Sequence, residues 1–133
     1  MSGNAHLILN PGIYIIGSGG VTVSGNGTVT GGTAAGGQGV LIYNNGAFSV
    51  SGNASVNLTA FSTGDYAGVA IFQALTDAST VTVSGNANLN LNGGFLYDAD
   101  AQSMVTISGN AQIEASMAVN ELTISGNSDD AAQ

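Results

Sequence analysis

The tripeptide Ser-Gly-Asn occurs six times in this chain, beginning at Ser2, Ser24, Ser51, Ser84, Ser108 and Ser125, and apolar residues alternate around it. The fuller copies read VTVSGNGTV (21–29), FSVSGNASVNL (48–58), VTVSGNANLNL (81–91), VTISGNAQIEA (105–115) and LTISGNS (122–128). Apolar residues at every second position have the period of a strand and not of a helix. Carried straight through the glycine, that parity puts Phe48, Val50, Gly52, Ala54, Val56 and Leu58 on one face, with Ser49, Ser51, Asn53, Ser55 and Asn57 on the other. The residue after each Asn is small (Ala5, Gly27, Ala54, Ala87, Ala111, Ser128). An inward glycine beside an inward small residue would suit a tight bend of the wall, where a side chain has little room.

A second element lies between the copies: GIYII (12–16), GVLIY (39–43), GVAIF (68–72), GGFLY (93–97) and a degraded SMAVN (116–120). Taking Ile16, Tyr43, Phe72, Tyr97 and Asn120 as equivalent gives spacings of 27, 29, 25 and 23 residues. A period in this range signals a solenoid or a propeller, and propeller blades need about 40 residues. The expectation is an all-β, right-handed parallel β-helix of about five coils, stacked about 4.8 Å apart, with the usual crossover hand. It forms one domain, 1–133, with 1–12 as a first partial coil and 128–133 as an acidic tail. Val23, Val50, Val83, Ile107 and Ile124 stack inside, while Ser and Asn columns bond between coils outside. Segments 30–38, 59–67, 73–80 and 98–103 are rich in Gly, Ser, Thr and Asp and read as loops.

Composition narrows the chemistry. The chain has no Lys or Arg and eight acids, a formal charge of −8, and only 6% charged residues against a usual value of about 25%. Without a cationic side chain, nucleic acid binding is excluded as a reading, as are Schiff-base chemistry and carboxylate clamps. There is no Cys, hence no disulfide and no thiolate metal site. Apolar runs such as IYII (13–16) fall far below the ~18 residues of a spanning helix, so no membrane span is expected, and the chain reads as soluble. No signal-peptide layout is visible, and the opening Met-Ser-Gly-Asn starts inside a repeat, as a piece of something longer would.

The stretches LNPGIYIIGSGGVTVSGNGTVTGG (9–32), GVLIYNNGAFSVSGNASVNLTAFSTGDYAGVAIFQ (39–73) and LTISGN (122–127) resemble the C-terminal repetitive region of TadG-like proteins of tight-adherence (Flp-type) pilus assembly. NPGIY and YAGVAIFQ are the most specific parts. The resemblance implies a β-helical fold, an extracellular or bacterial cell-surface location and no assigned catalytic residues. Such proteins usually carry an N-terminal membrane anchor, which nothing in this sequence matches, and a basic residue soon after IFQ, where this chain has ALTD (74–77).

Candidate sites are few. His6 has no second His or Cys to share a metal or a proton, and reads as a surface residue of an end coil. Asp98 and Asp100 would share a face if extended, as a paired-carboxylate or Ca²⁺ site requires, but a solvated loop is the simpler reading. The expectation is therefore no metal, no cofactor and no catalytic residue. β-Helical polysaccharide enzymes lean on Arg or Lys beside acids, which this chain lacks. A polar face is the better candidate: Ser24, Asn26, Ser51, Asn53, Ser84, Asn86, Ser108 and Asn110, flanked by Thr22, Ser49, Thr82, Thr106 and Thr123 and continued by Ser125 and Asn127. It would suit glycan or surface adhesion and, less well, ice binding. Sequons at Asn26 and Asn53 follow from the repeat, whereas Asn57 is an outward candidate for glycosylation. The leading functional reading is a non-catalytic pilus- or fibre-associated subunit that stacks head to tail on itself. The alternative is a glycan- or surface-binding adhesin, and a polysaccharide-active enzyme comes last.

Overall fold

Alternating strands bury one face each, and short ones need many neighbours to do it. The computed structural model describes residues 1–32, 38–74, 80–98, 103–127 and the backbone of Ala131–Ala132. It is all-β, with no helix among the described residues, and every strand pairing is parallel, in the manner of a β-solenoid.

The strands lie in three rows. The first contains β1 (His6–Leu9), β4 (Thr28–Gly31), β7 (Ser55–Leu58), the start of β10 (Asn88–Asp98), the start of β12 (Gln112–Val119) and β14 (Ala131–Ala132). The second contains β2 (Gly12–Ile16), β5 (Val40–Asn44), β8 (Val69–Gln73) and the far halves of β10 and β12. The third contains β3 (Val21–Val23), β6 (Phe48–Val50), β9 (Val81–Val83), β11 (Val105–Ile107) and β13 (Leu122–Ile124). β10 passes from the first row to the second without a loop, through a register shift between Asn90 and Phe95. Asn92 there takes a positive φ of 51°, rare for a residue with a side chain.

In the third row Val23, Val50, Val83 and Ile107 stack in register and are buried, but Ile124 is 50% exposed. It occupies the expected column, but among the described residues no strand pairs with the far side of β13 to cover it. The second-row alignment also shifts. Tyr43 pairs with Ile15 rather than Ile16, and Tyr97 with Ala118 rather than Asn120. Three expected loops begin inside strands: Thr30 and Gly31 end β4, Gln73 ends β8 and Asp98 ends β10. Residues 33–37, 75–79 and 99–102 lie outside the described residues. Segment 128–133 was expected as a tail, yet Ala131 and Ala132 pair with Glu114 and Ala115.

The tripeptide is a corner and not a stretch of wall. Gly52 points outward, so the parity through it is correct for its neighbours and wrong for the glycine itself. At each complete corner a small-residue N–H returns to the Ser carbonyl, as from Ala54 to Ser51 at 3.3 Å. The glycine that opens the corner has positive φ (72° at Gly52, 73° at Gly85), the feature of a II′-type turn. A Cβ on Gly85 would also lie 2.9 Å from the Gly52 carbonyl oxygen. Glycine is needed because corners stack backbone on backbone. The following small residue turns inward: Ala54, Ala87 and Ala111 are all buried.

Candidate functional site

The polar corner column is built by a repeated pair of hydrogen bonds. Each Asn backbone N–H donates to the glycine carbonyl of the preceding corner, as from Asn53 to Gly25, Asn86 to Gly52 and Asn110 to Gly85, all 2.8 Å. Each Asn side chain does the same one layer out: Asn26 Nδ2 to Asn4 Oδ1 (3.0 Å), Asn53 to Asn26 (3.1 Å), Asn86 to Asn53 (3.1 Å) and Asn110 to Asn86 (3.0 Å). The amides are exposed yet point one way along the stack, so part of their bonding capacity is already used.

Ser24, Ser51, Ser84 and Ser108 are half-buried beside this ladder. Their recurring contribution is through the backbone, each N–H donating to the layer before, as from Ser84 to Val50 and Ser51 to Val23 at 2.9 Å. Thr22, Ser49, Thr82, Thr106 and Thr123 stand in register as an adjacent column. Side-chain hydroxyls, ladder amides and a flat row together make a periodic surface that can donate and accept but carries no charge.

The other candidates separate. His6 lies on the exposed edge strand β1, with Nδ1 hydrogen-bonded to the Thr28 hydroxyl. Asn57 sits inside a strand between Thr30 and Asn90, half-buried, its Nδ2 donating to Ser55 Oγ at 3.1 Å. Asp98 contradicts the solvated-loop reading: it ends β10 and is 1% exposed. One residue past Tyr97, it takes the inward parity that Asn44 takes after Tyr43 and Gln73 after Phe72. Those two are also buried, with Asn44 Nδ2 donating to Gln73 Oε1 (2.8 Å) and Gln73 Nε2 to the Gly46 carbonyl (3.0 Å). An inward polar column thus turns the second row into the third. Asp100 lies outside the described residues. Among the described residues no three His, Cys, Asp or Glu side chains stand together as a metal site would need, and no helix is long and apolar enough to cross a membrane.

Sequence reasoning missed the outer side of the second row. Tyr43, Phe72 and Tyr97 stack there, with ring centroids 5.4 Å apart for the first pair and 4.9 Å for the second, and interplanar angles of 10° and 16°. Ile15 continues the column as the register partner of Tyr43. The segment after β7 brings Asp65 and Tyr66 alongside, and together with Leu41, Tyr43, Val69 and Phe72 they line a surface pocket of about 370 Å³. A smaller hollow adjoins it, between Ile13, Ile15, Leu41, Tyr43 and Tyr66. The signal was legible in GVLIY, GVAIF and GGFLY, where the aromatic residue has the opposite parity to the buried Ile42, Ile71 and Leu96.

Compared with known proteins, the chain matches no family model, no curated protein and no solved structure.

Proposed function

We propose that this chain is a non-catalytic structural subunit of a bacterial surface fibre or pilus, a right-handed parallel β-helix of about five coils that stacks head to tail on copies of itself. The coil number follows the five strands of the third row and the Ser-Gly-Asn copies that succeed them. The hand follows the general crossover preference. Surface placement rests on the resemblance of NPGIY (10–14) and YAGVAIFQ (66–73) to TadG-like proteins.

One observation carries the stacking. At the β1–β3 end, Leu7, Leu9, Tyr14, Ile16 and Val21 border an apolar hollow that opens outward. At the other end Leu122 and Ile124 are exposed, although Val105 and Ile107, one layer in, are buried. Both ends present parallel strand edges of the same sense, so a second copy continues the pairing in one direction only. Such a contact is heterologous and grows into an open filament when its rotation does not close. With −8 per chain, screening by salt promotes it. Light scattering coupled to size exclusion at micromolar concentrations, across salt, is expected to show association that rises with ionic strength. A strictly monomeric species at every salt concentration ends this reading.

The second reading is an adhesin that uses the Ser, Thr and Asn columns for glycan. It is favoured by the in-register hydroxyls of Thr22, Ser49, Thr82, Thr106 and Thr123. Glycan-array binding by the wild type that is lost in a Thr82→Val/Thr106→Val variant of unchanged stability would select it.

A further inference from the structure

We infer that the pocket between the second row and segment 61–68 is a binding site for a small quaternary ammonium compound. Its lining sorts the candidate ligands. Leu41, Tyr43, Val69, Phe72 and Tyr66 are apolar or aromatic, and Asp65 supplies the only formal charge. An anion would meet that carboxylate with no cationic side chain to offset it, since the chain contains no Lys or Arg. A hard metal ion wants about six oxygens, and one carboxylate with two phenols cannot supply them. A sugar needs several donors and acceptors at fixed positions, whereas the phenol hydroxyls are the only side-chain donors in the lining.

A cation that is weakly hydrated and wrapped in methyl groups fits all three features. Its charge is met by Asp65, and its methyl groups by Leu41 and Val69. Ring quadrupoles attract such a cation over their faces and repel it at their edges, so ring orientation matters. Within the stack, the faces of Tyr43 and Phe72 are turned toward each other. At the end of the stack Ile15, the register partner of Tyr43, continues the column as an aliphatic side chain, and the ring that stands apart from the stack is Tyr66, with 53% of its surface exposed. Both tyrosines border the pocket and the hollow beside it. The site therefore sits around Tyr66, beside the aromatic column, with Asp65 as counter-ion. The chain's overall charge of −8 adds a field of the right sign.

The test is a titration of the isotopically labelled full chain with choline, followed by amide shifts in two-dimensional NMR. The neutral isostere 3,3-dimethylbutan-1-ol serves as the control of equal shape. Choline is expected to give saturable shifts at Asp65, Tyr66 and Val69 in the millimolar range, weakened by added salt, with the neutral isostere bound about tenfold less tightly. Asp65→Asn should weaken choline about fivefold, and Tyr66→Ala should abolish saturation, as loss of a charge partner and of a ring face require. Both residues are exposed, so both variants should keep the wild-type melting temperature, which separates lost binding from lost fold. Equal affinity for choline and its neutral isostere overturns the inference, as does the absence of saturable shifts up to about 50 mM. Choline affinity unchanged in Asp65→Asn and Tyr66→Ala also overturns it, because the ligand would then sit elsewhere. Retention on phosphatidylcholine vesicles without binding of free choline overturns it in favour of a lipid surface.

Discussion

The interior and the ends of the stack carry the same motif with different consequences. Val50 and Ile124 hold equivalent positions in the third row, yet Val50 is fully buried and Ile124 is 50% exposed. Gly85 and Gly3 open equivalent corners with φ of 73° and 68°. A Cβ on Gly85 would collide with the Gly52 backbone, while one on Gly3 would meet nothing within 4 Å. Asn53 both donates to and accepts from neighbouring amides, whereas the ladder bond of Asn4 is as acceptor from Asn26. A repeat residue thus has no fixed energetic value. Its value depends on how many layers lie against it, as in solenoids generally.

Three paired substitutions break or sharpen this comparison. Val50→Asp buries an unpaired charge in a closed core and should cost more than about 4 kcal/mol, enough to unfold the domain. Ile124→Asp should cost less than about 1 kcal/mol, because water already reaches that side chain. Chemical denaturation of both variants checks the pair, and equal losses would mean that the end row is covered in solution. Gly85→Ala should cost about 2–4 kcal/mol, combining a positive φ with backbone overlap against the preceding corner. Gly3→Ala carries the φ penalty alone and should stay near 1 kcal/mol. If the two lose equal stability, conformational strain and not layer spacing explains the glycine. Asn53→Ala removes two exposed ladder bonds and should cost about 1 kcal/mol, with Asn4→Ala costing roughly half of that. Thermal melts at low protein concentration resolve the difference. The Asn4→Ala effect should grow with concentration if a second copy extends the ladder.

Much of the fold was legible in the primary structure because its signal repeats. Alternation on both sides of each tripeptide identified the strands, and the buried set from Val23 to Ile113 follows that parity closely. Parity failed at Gly52 for a local reason: a turn with one positive φ bends the chain from one wall into the next, so the two walls keep their pattern while the corner between them faces out. At Asp98 parity held and the loop reading failed, because the residue type suggested solvent. Position outweighed type there, since Asp98 follows Tyr97 as Gln73 follows Phe72, and those places face the inward polar column. The polar corner was anticipated as an Asn ladder beside a Ser column that bonds between coils, and the Ser residues make those bonds mainly through their backbone N–H groups.

The amino-acid order alone determined that this chain is built of short strands, that Ser-Gly-Asn lies between two of them in each repeat, and that it has no Lys or Arg side chain to offer an anion and no thiolate. Those conclusions depend on period, residue size and the absence of whole side-chain classes, all of which are local or compositional. Only the tertiary structure decided which glycine needs to be a glycine, which leucine or isoleucine is dry, and that Asp65 and Tyr66 stand beside Tyr43 and Phe72. Each of these depends on contacts between residues more than twenty positions apart in the chain or on the loop that follows β7. Such contacts exist only once layers about 4.8 Å apart have stacked in register.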